Sequence, residues 1–182
     1  MYGEMPSMAI GEEAVNSMID RMLAKPFQHP WIKQFWADRF QSLQFERSPW
    51  TPLEGSLSGK KVAMVTTGGV HAASDVPFDM SDRDGDPSFR LFGSNSGANE
   101  LTITHDYYDH TDGDRDINII VPLKALRSCV ETGIVGSLSR DFFGFMGHIR
   151  GDHIGTLINR SCRELIRLLR QDLVDVVLLA PA

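Results

Sequence analysis

Cysteine is nearly absent from this chain: Cys129 and Cys162 are the only two in 182 residues, and no Cys-x-x-Cys pair or metal-type spacing relates them. That excludes a disulfide scaffold and points to a reducing, cytoplasmic setting. No apolar run approaches the roughly 18 residues of a membrane-spanning helix, so no membrane partner is expected. Met1 to Gly11 lacks a basic stretch followed by an apolar one, which argues against a signal peptide. Basic residues are also in deficit: 18 Lys and Arg face 24 Asp and Glu, for a net charge of −6. Nucleic acid is therefore not an expected partner, because phosphate binding needs a basic surface. What is present is an ordinary globular balance, with 42% hydrophobic and 23% charged residues. The length suits one α/β domain with a small helical appendage.

Residues 1–47 read as a helical N-terminal segment. One helix covers Glu12 to Ala24, with Val15, Met18, Ile19 and Met22 at helical spacing and Pro26 closing it. A second runs from about Pro30 to Phe45 and carries Trp31, Phe35, Trp36 and Phe40, a stripe that fits a core or subunit interface better than a ligand site. Ser48-Pro49-Trp50-Thr51-Pro52 then imposes an extended linker.

Residues 48–182 alternate strand and helix signals, which predicts an α/β fold with a mostly parallel sheet covered by helices. Lys61 to Thr67 is a buried-strand run entering Gly68-Gly69. Leu101 to Thr104, Ile117 to Val121 and Phe142 to Met146 are further strand candidates. Pro122 opens a helix through Leu123, Leu126 and Val130 that stops at Gly133. A longer helix spans about His153 to Leu173, with Ile154, Leu157, Ile158, Cys162, Leu165 and Leu169 on one face. Val174 to Leu179 reads as a last buried strand.

Five of the six histidines, His71, His105, His110, His148 and His153, fall in or just after predicted strand ends. Two segments concentrate chemistry there. Thr66-Thr67-Gly68-Gly69-Val70-His71 is a strand exit whose glycines let backbone N–H groups approach a ligand, making Thr67, Gly68, Gly69, His71 and His148 substrate-binding candidates. Thr104-His105-Asp106-Tyr107-Tyr108-Asp109-His110 packs imidazoles, carboxylates and phenols together, and His105, Asp106, Tyr107 and His110 are the catalytic candidates. The same residue types bind divalent metals, so a metal-dependent hydrolase or lyase using His71, His105, Asp109 and His148 stays open beside proton transfer. Asp82, Asp84, Gly85 and Asp86 begin like a calcium loop, but its twelfth position is Gly93 rather than glutamate. Cys162 on its apolar helix face reads as an inert packing residue, and Cys129 as a structural one.

The residues also carry a family resemblance. Pro49-Trp50-Thr51-Pro52-Leu53, Val62 to His71, Gly85-Asp86-Pro87-Ser88-Phe89-Arg90, Thr104 to His110, Gly144-Phe145-Met146-Gly147-His148 and Asp175 to Pro181 are similar, in order and spacing, to the selenoprotein B family of glycine, sarcosine, betaine and D-proline reductases. The resemblance covers about residues 48–182. It implies reductive cleavage at the α-carbon of an amino acid or related amine by a selenocysteine or cysteine, with a cysteine two residues later and a partner subunit bearing a pyruvoyl group. No cofactor is evident in the chain itself. In the family the redox pair follows the Leu-Leu-x-Pro segment, whereas here the chain ends one residue past Pro181. The expectation is thus a component inactive by itself, through a selenocysteine codon read as stop, a truncation or a natural short form. A non-catalytic binding subunit is the remaining alternative. An uncovered sheet edge, or the aromatic N-terminal helix, predicts a homo-oligomer.

Overall fold

The computed structural model describes Trp31 and residues 51–182. The chain divides into two units, Met1–Thr51 and Pro52–Ala182, and the sheet with its covering helices belongs to the second. The helices expected over Glu12 to Ala24 and Pro30 to Phe45 lie outside the described residues, apart from Trp31, which is helical and exposed.

Strand β1 (Lys61–Thr66) is the organising element. Its run KVAMVT has no turn former, and Val62 through Thr66 are all buried, as a strand covered on both faces requires. One edge pairs in parallel with β7 (Val176–Ala180) from Val62↔Val176 to Thr66↔Ala180. The other edge pairs in parallel with β5 (Ser137–Leu138) at its start and β6 (Asp141–Phe145) at its end. Strand β3 (Phe89–Gly93) closes that side antiparallel to β6. The expected mostly parallel sheet is therefore present, with one antiparallel edge. A separate ribbon joins β2 (Val70–Ala72) to β4 (Leu101–Ile103), antiparallel, with His71 opposite Thr102.

The pleat sends alternate side chains to opposite faces, and two cores result. Met64 and Phe142 pack with Val70, Phe92, Ile103, Val121 and Leu123 on one face. Val65, Phe143 and Phe145 pack with Leu157, Leu165, Leu168 and Leu169 on the other. The first face is covered by α1 (Thr111–Arg115), α2 (Leu123–Glu131) and the ribbon; the second by α3 (His153–Thr156), a π-helical turn (Leu157–Ser161) and α4 (Cys162–Gln171).

Two expectations change. Ile117 to Val121 is not a strand: Ile117–Ile119 form a 3-10 turn, capped by the Asp116 side chain, which accepts from the Asn118 N–H at 3.0 Å. Ile117 and Val121 are buried while Ile119 is 62% exposed, a four-residue spacing that a strand's period of two does not produce. In the long helix, the π turn rotates the apolar face. Leu168 joins the core and Ile158 is left 48% exposed. Strands β2, β3 and β5 carry no signal strong enough to be read from sequence; they are short and their partners lie far along the chain.

Candidate functional site

In an open parallel sheet, ligands bind beyond the carboxyl ends of the strands. Here the carboxyl ends of β1, β6 and β7 and the segment after β4 meet at one place. Leaving β1, the chain turns at Gly69, whose φ of +69° favours glycine and whose missing Cβ would sit 2.4 Å from the Thr104 carbonyl oxygen. The Gly69 N–H donates to the Phe145 carbonyl at 2.9 Å and its carbonyl accepts from Thr104 N–H at 3.0 Å, tying β1, β6 and β4 together. The end of β7 docks alongside: Thr67 N–H donates to the Ala180 carbonyl at 3.3 Å, and Ala182 N–H to Thr67 Oγ1 at 3.2 Å.

Against this frame lies the Thr104–His110 segment. His105 is 4% exposed, and each of its ring nitrogens faces a backbone amide: Tyr107 N–H at 3.2 Å from Nδ1, and Gly147 N–H at 3.1 Å from Nε2. Burial, then the positive potential of His148 and His110, holds its pKa below the usual imidazole value. Tyr107, 45% exposed, stacks flat on His148 with ring centroids 3.9 Å apart and planes inclined by 12°. The His148 ring is oriented from behind, Nε2 lying 3.0 Å from the Arg83 carbonyl. Tyr108 meets the His105 ring edge-on at 4.8 Å, and its hydroxyl donates to the Gly68 carbonyl at 2.9 Å. Burial, and secondarily Asp114, pushes the Tyr108 phenol up, so it remains a neutral donor.

The structure thus gathers Thr67, Gly68, Gly69, His105, Tyr107 and His148. Asp106 is exposed beside them. Three other candidates are engaged elsewhere. His71 is 2% exposed; its ring nitrogens contact Thr104 Oγ1 and the Ala72 carbonyl, both at 2.8 Å, so it braces the ribbon. His110 Nδ1 pairs with Asp114 at 2.8 Å. Asp109 accepts from the Thr111 hydroxyl and N–H at 2.6 and 3.1 Å at the start of α1. Among the described residues, no three His, Cys, Asp or Glu side chains are placed to share a metal ion. The residues that sequence reasoning passed over are Tyr108, whose signal was its place in the Thr104–His110 motif, and the Gly147 amide, for which a glycine after a strand was the only sign. His153, the remaining strand-end histidine, bonds Asp82 at 2.8 Å, which raises its pKa.

Neither cysteine joins this arrangement through any contact, and burial pushes the Cys162 thiol up, away from thiolate chemistry. The site's own resources are backbone donors, a buried neutral imidazole, two phenols and a half-exposed aromatic stack.

Comparison with known proteins gives this site a family. The family model described as glycine/sarcosine/betaine reductase selenoprotein B matches residues 11–182. The chain belongs to the selenoprotein B reductase family. Among its relatives, the D-proline reductase subunit gamma of Acetoanaerobium sticklandii is 33% identical over 130 residues, covering 71% of this chain and 52% of the relative. The sarcosine reductase complex component B subunit beta of Peptoclostridium acidaminophilum is 27% identical over 143 residues, 75% of this chain and 30% of the relative. The betaine reductase complex component B subunit beta of the same organism is 32% identical over 133 residues, 68% and 28% of the two chains. The chain therefore spans about half or less of these relatives' lengths. No solved structure matches. Among the described residues no helix is long and apolar enough to cross a membrane.

Proposed function

We propose that this chain is the substrate-holding part of a selenoprotein B-type reductase component, binding an amino acid or related amine between the β1 exit, the β6 exit and the Thr104–His110 segment. The observation that carries this reading is the convergence of those three backbone segments with the Tyr107–His148 stack, at the sheet end where ligands bind. The family membership supports an amine-type substrate, since its relatives include subunits of D-proline, sarcosine and betaine reductases. Reductive cleavage needs a selenolate or thiolate, and neither Cys129 nor Cys162 is in a redox pair. These 182 residues alone therefore bind without turning substrate over, and a partner reductase subunit completes the reaction. The proposal extends to self-association: β7 is an edge strand with Leu178 40% and Leu179 70% exposed, an apolar edge that a second copy covers.

Isothermal titration with betaine, sarcosine and D-proline tests the binding claim. Saturable binding of at least one, weakened by about tenfold in Tyr107→Ala, is the expected result. Absence of binding to all three at millimolar concentration overturns it. Release of free amine under excess dithiol, by this chain alone, overturns the claim that it does not turn substrate over.

A further inference from the structure

A neutral imidazole has one N–H and one acceptor nitrogen. Both nitrogens of His105 nevertheless face backbone N–H donors, Tyr107 at 3.2 Å and Gly147 at 3.1 Å. Only one of these can be a hydrogen bond. The other sets two N–H groups against each other, on a side chain that is 4% exposed and held edge-on by Tyr108 at 4.8 Å. Protonation would make both contacts repulsive, so the ring stays neutral.

Which contact is the bond depends on what can move. The Tyr107 amide is two residues from His105 within one turn, so its distance to Nδ1 is set by local geometry. Gly147 comes from 42 residues away, on an exposed segment after β6. The local pair keeps the hydrogen bond. The proton then resides on Nε2 and points at the Gly147 N–H. Two unsatisfied donors converge there, one of them buried, where an unmade hydrogen bond carries the full desolvation penalty of the group. A small outward shift of Gly147 admits an oxygen that accepts from both, and an anionic oxygen does so best because charge-assisted bonds are the stronger ones. Thr67 borders the same point, its carbonyl oxygen 3.2 Å from where a Gly147 Cβ would be, so nothing larger than glycine leaves this room.

From this geometry we infer that His105 Nε2–H and the Gly147 N–H form a two-donor site for a ligand carboxylate, with His105 a positioning and binding group rather than the proton carrier of the reaction. The inference rests on the substrate-holding reading and assigns the end of the substrate that is held here. An amino acid's carboxylate, not its amine, enters first beside His105. The Tyr107–His148 stack then lies next to the remainder of the molecule.

The test is nuclear magnetic resonance on the 182-residue chain with ¹⁵N-labelled histidine and backbone. Without ligand, His105 is expected as the Nε2–H tautomer. Betaine and acetate are each expected to move the Gly147 amide proton downfield, with the Tyr107 amide little changed. Choline, which has the quaternary amine but no carboxylate, leaves the Gly147 amide in place, and phosphate distinguishes a general anion site from one that takes a planar carboxylate. A His105 found as the Nδ1–H tautomer, or as imidazolium at neutral pH, overturns the inference. Betaine shifts confined to the Tyr107 and His148 rings also overturn it while leaving the substrate-holding reading intact. No shift with any probe removes both.

Discussion

At the scale of single residues, histidines of the same intrinsic chemistry are sorted by their neighbours. His105 is buried and held below its usual pKa, whereas His153 is held above by the Asp82 hydrogen bond. The consequences for stability run in opposite directions. A histidine whose folded pKa is depressed is protonated first in the unfolded chain, so its contribution is lost as pH falls below the unfolded value of 6.5. A histidine whose folded pKa is raised contributes fully below 6.5, and that contribution is lost as pH rises through its folded pKa. Histidine resonances followed against pH are expected to show a midpoint for His153 above 6.5 and one for His105 below it. In Asp82→Asn the His153 midpoint drops towards 6.5, while that of His105 stays put. Arg90 tells a similar story about charge. Its guanidinium bonds the Val76 and Pro77 carbonyls at 2.7 and 3.0 Å and Asp86 at 3.2 Å, and lies 4.6 Å above the Phe78 ring. Arg90→Ala leaves two carbonyls and a partly buried carboxylate without their donor, and chemical denaturation should register a loss of about 2–3 kcal/mol.

Elements show where local pattern and tertiary demand agree. The β1 run and the α2 helix were legible because each is long enough for its period to show and is bounded by Gly or Pro. Ile117 to Val121 misled because β-branched residues favour strands on average. Asp116 and Asn118, both turn formers that bond backbone or each other, decided the outcome instead. The same principle predicts the behaviour of the Asp82–Asp86 loop. Gly85 has φ +85°, and a Cβ there would lie 1.7 Å from the His148 carbonyl oxygen. Gly85→Ala therefore pushes the β6 exit away. Substrate binding should fall more than about tenfold, with Tyr107 losing its stacking shift in proton spectra. Binding that survives Gly85→Ala unchanged would show that the loop does not set the stack. In the sheet, Phe142 is fully buried between Met64 and Phe92, and Phe142→Ala is expected to cost about 3–5 kcal/mol.

For the Pro52–Ala182 unit as a whole, the uneven cover of the sheet matters most. Strand β1 is buried on both faces and both edges, whereas β7, equally apolar in sequence, has no residue buried. Leu178 and Leu179 are successive in the strand and so face opposite sides, both partly open. Sedimentation is expected to find an associating species, and Leu179→Lys should shift it towards monomer without changing the circular dichroism of the fold. A wild-type chain that sediments as a clean monomer at micromolar concentration would count against the covered edge.

The sequence by itself determined the strand–helix alternation, the apolar β1 and β7 runs, the family and the two segments in which the chemistry lies. Those follow from local period, from turn residues and from motif order, all properties of near neighbours along the chain. Only the tertiary structure decided which candidates meet. His71, His110 and His153 resemble His105 and His148 in sequence, yet they are turned to Thr104, Asp114 and Asp82. The contact between His105 and Gly147 exists because β4 and β6 are both tied to Gly69, so strand order and register bring distant residues within 3.1 Å. Pairing across such separations is set by the packing of the whole sheet, and no periodicity within either segment encodes it.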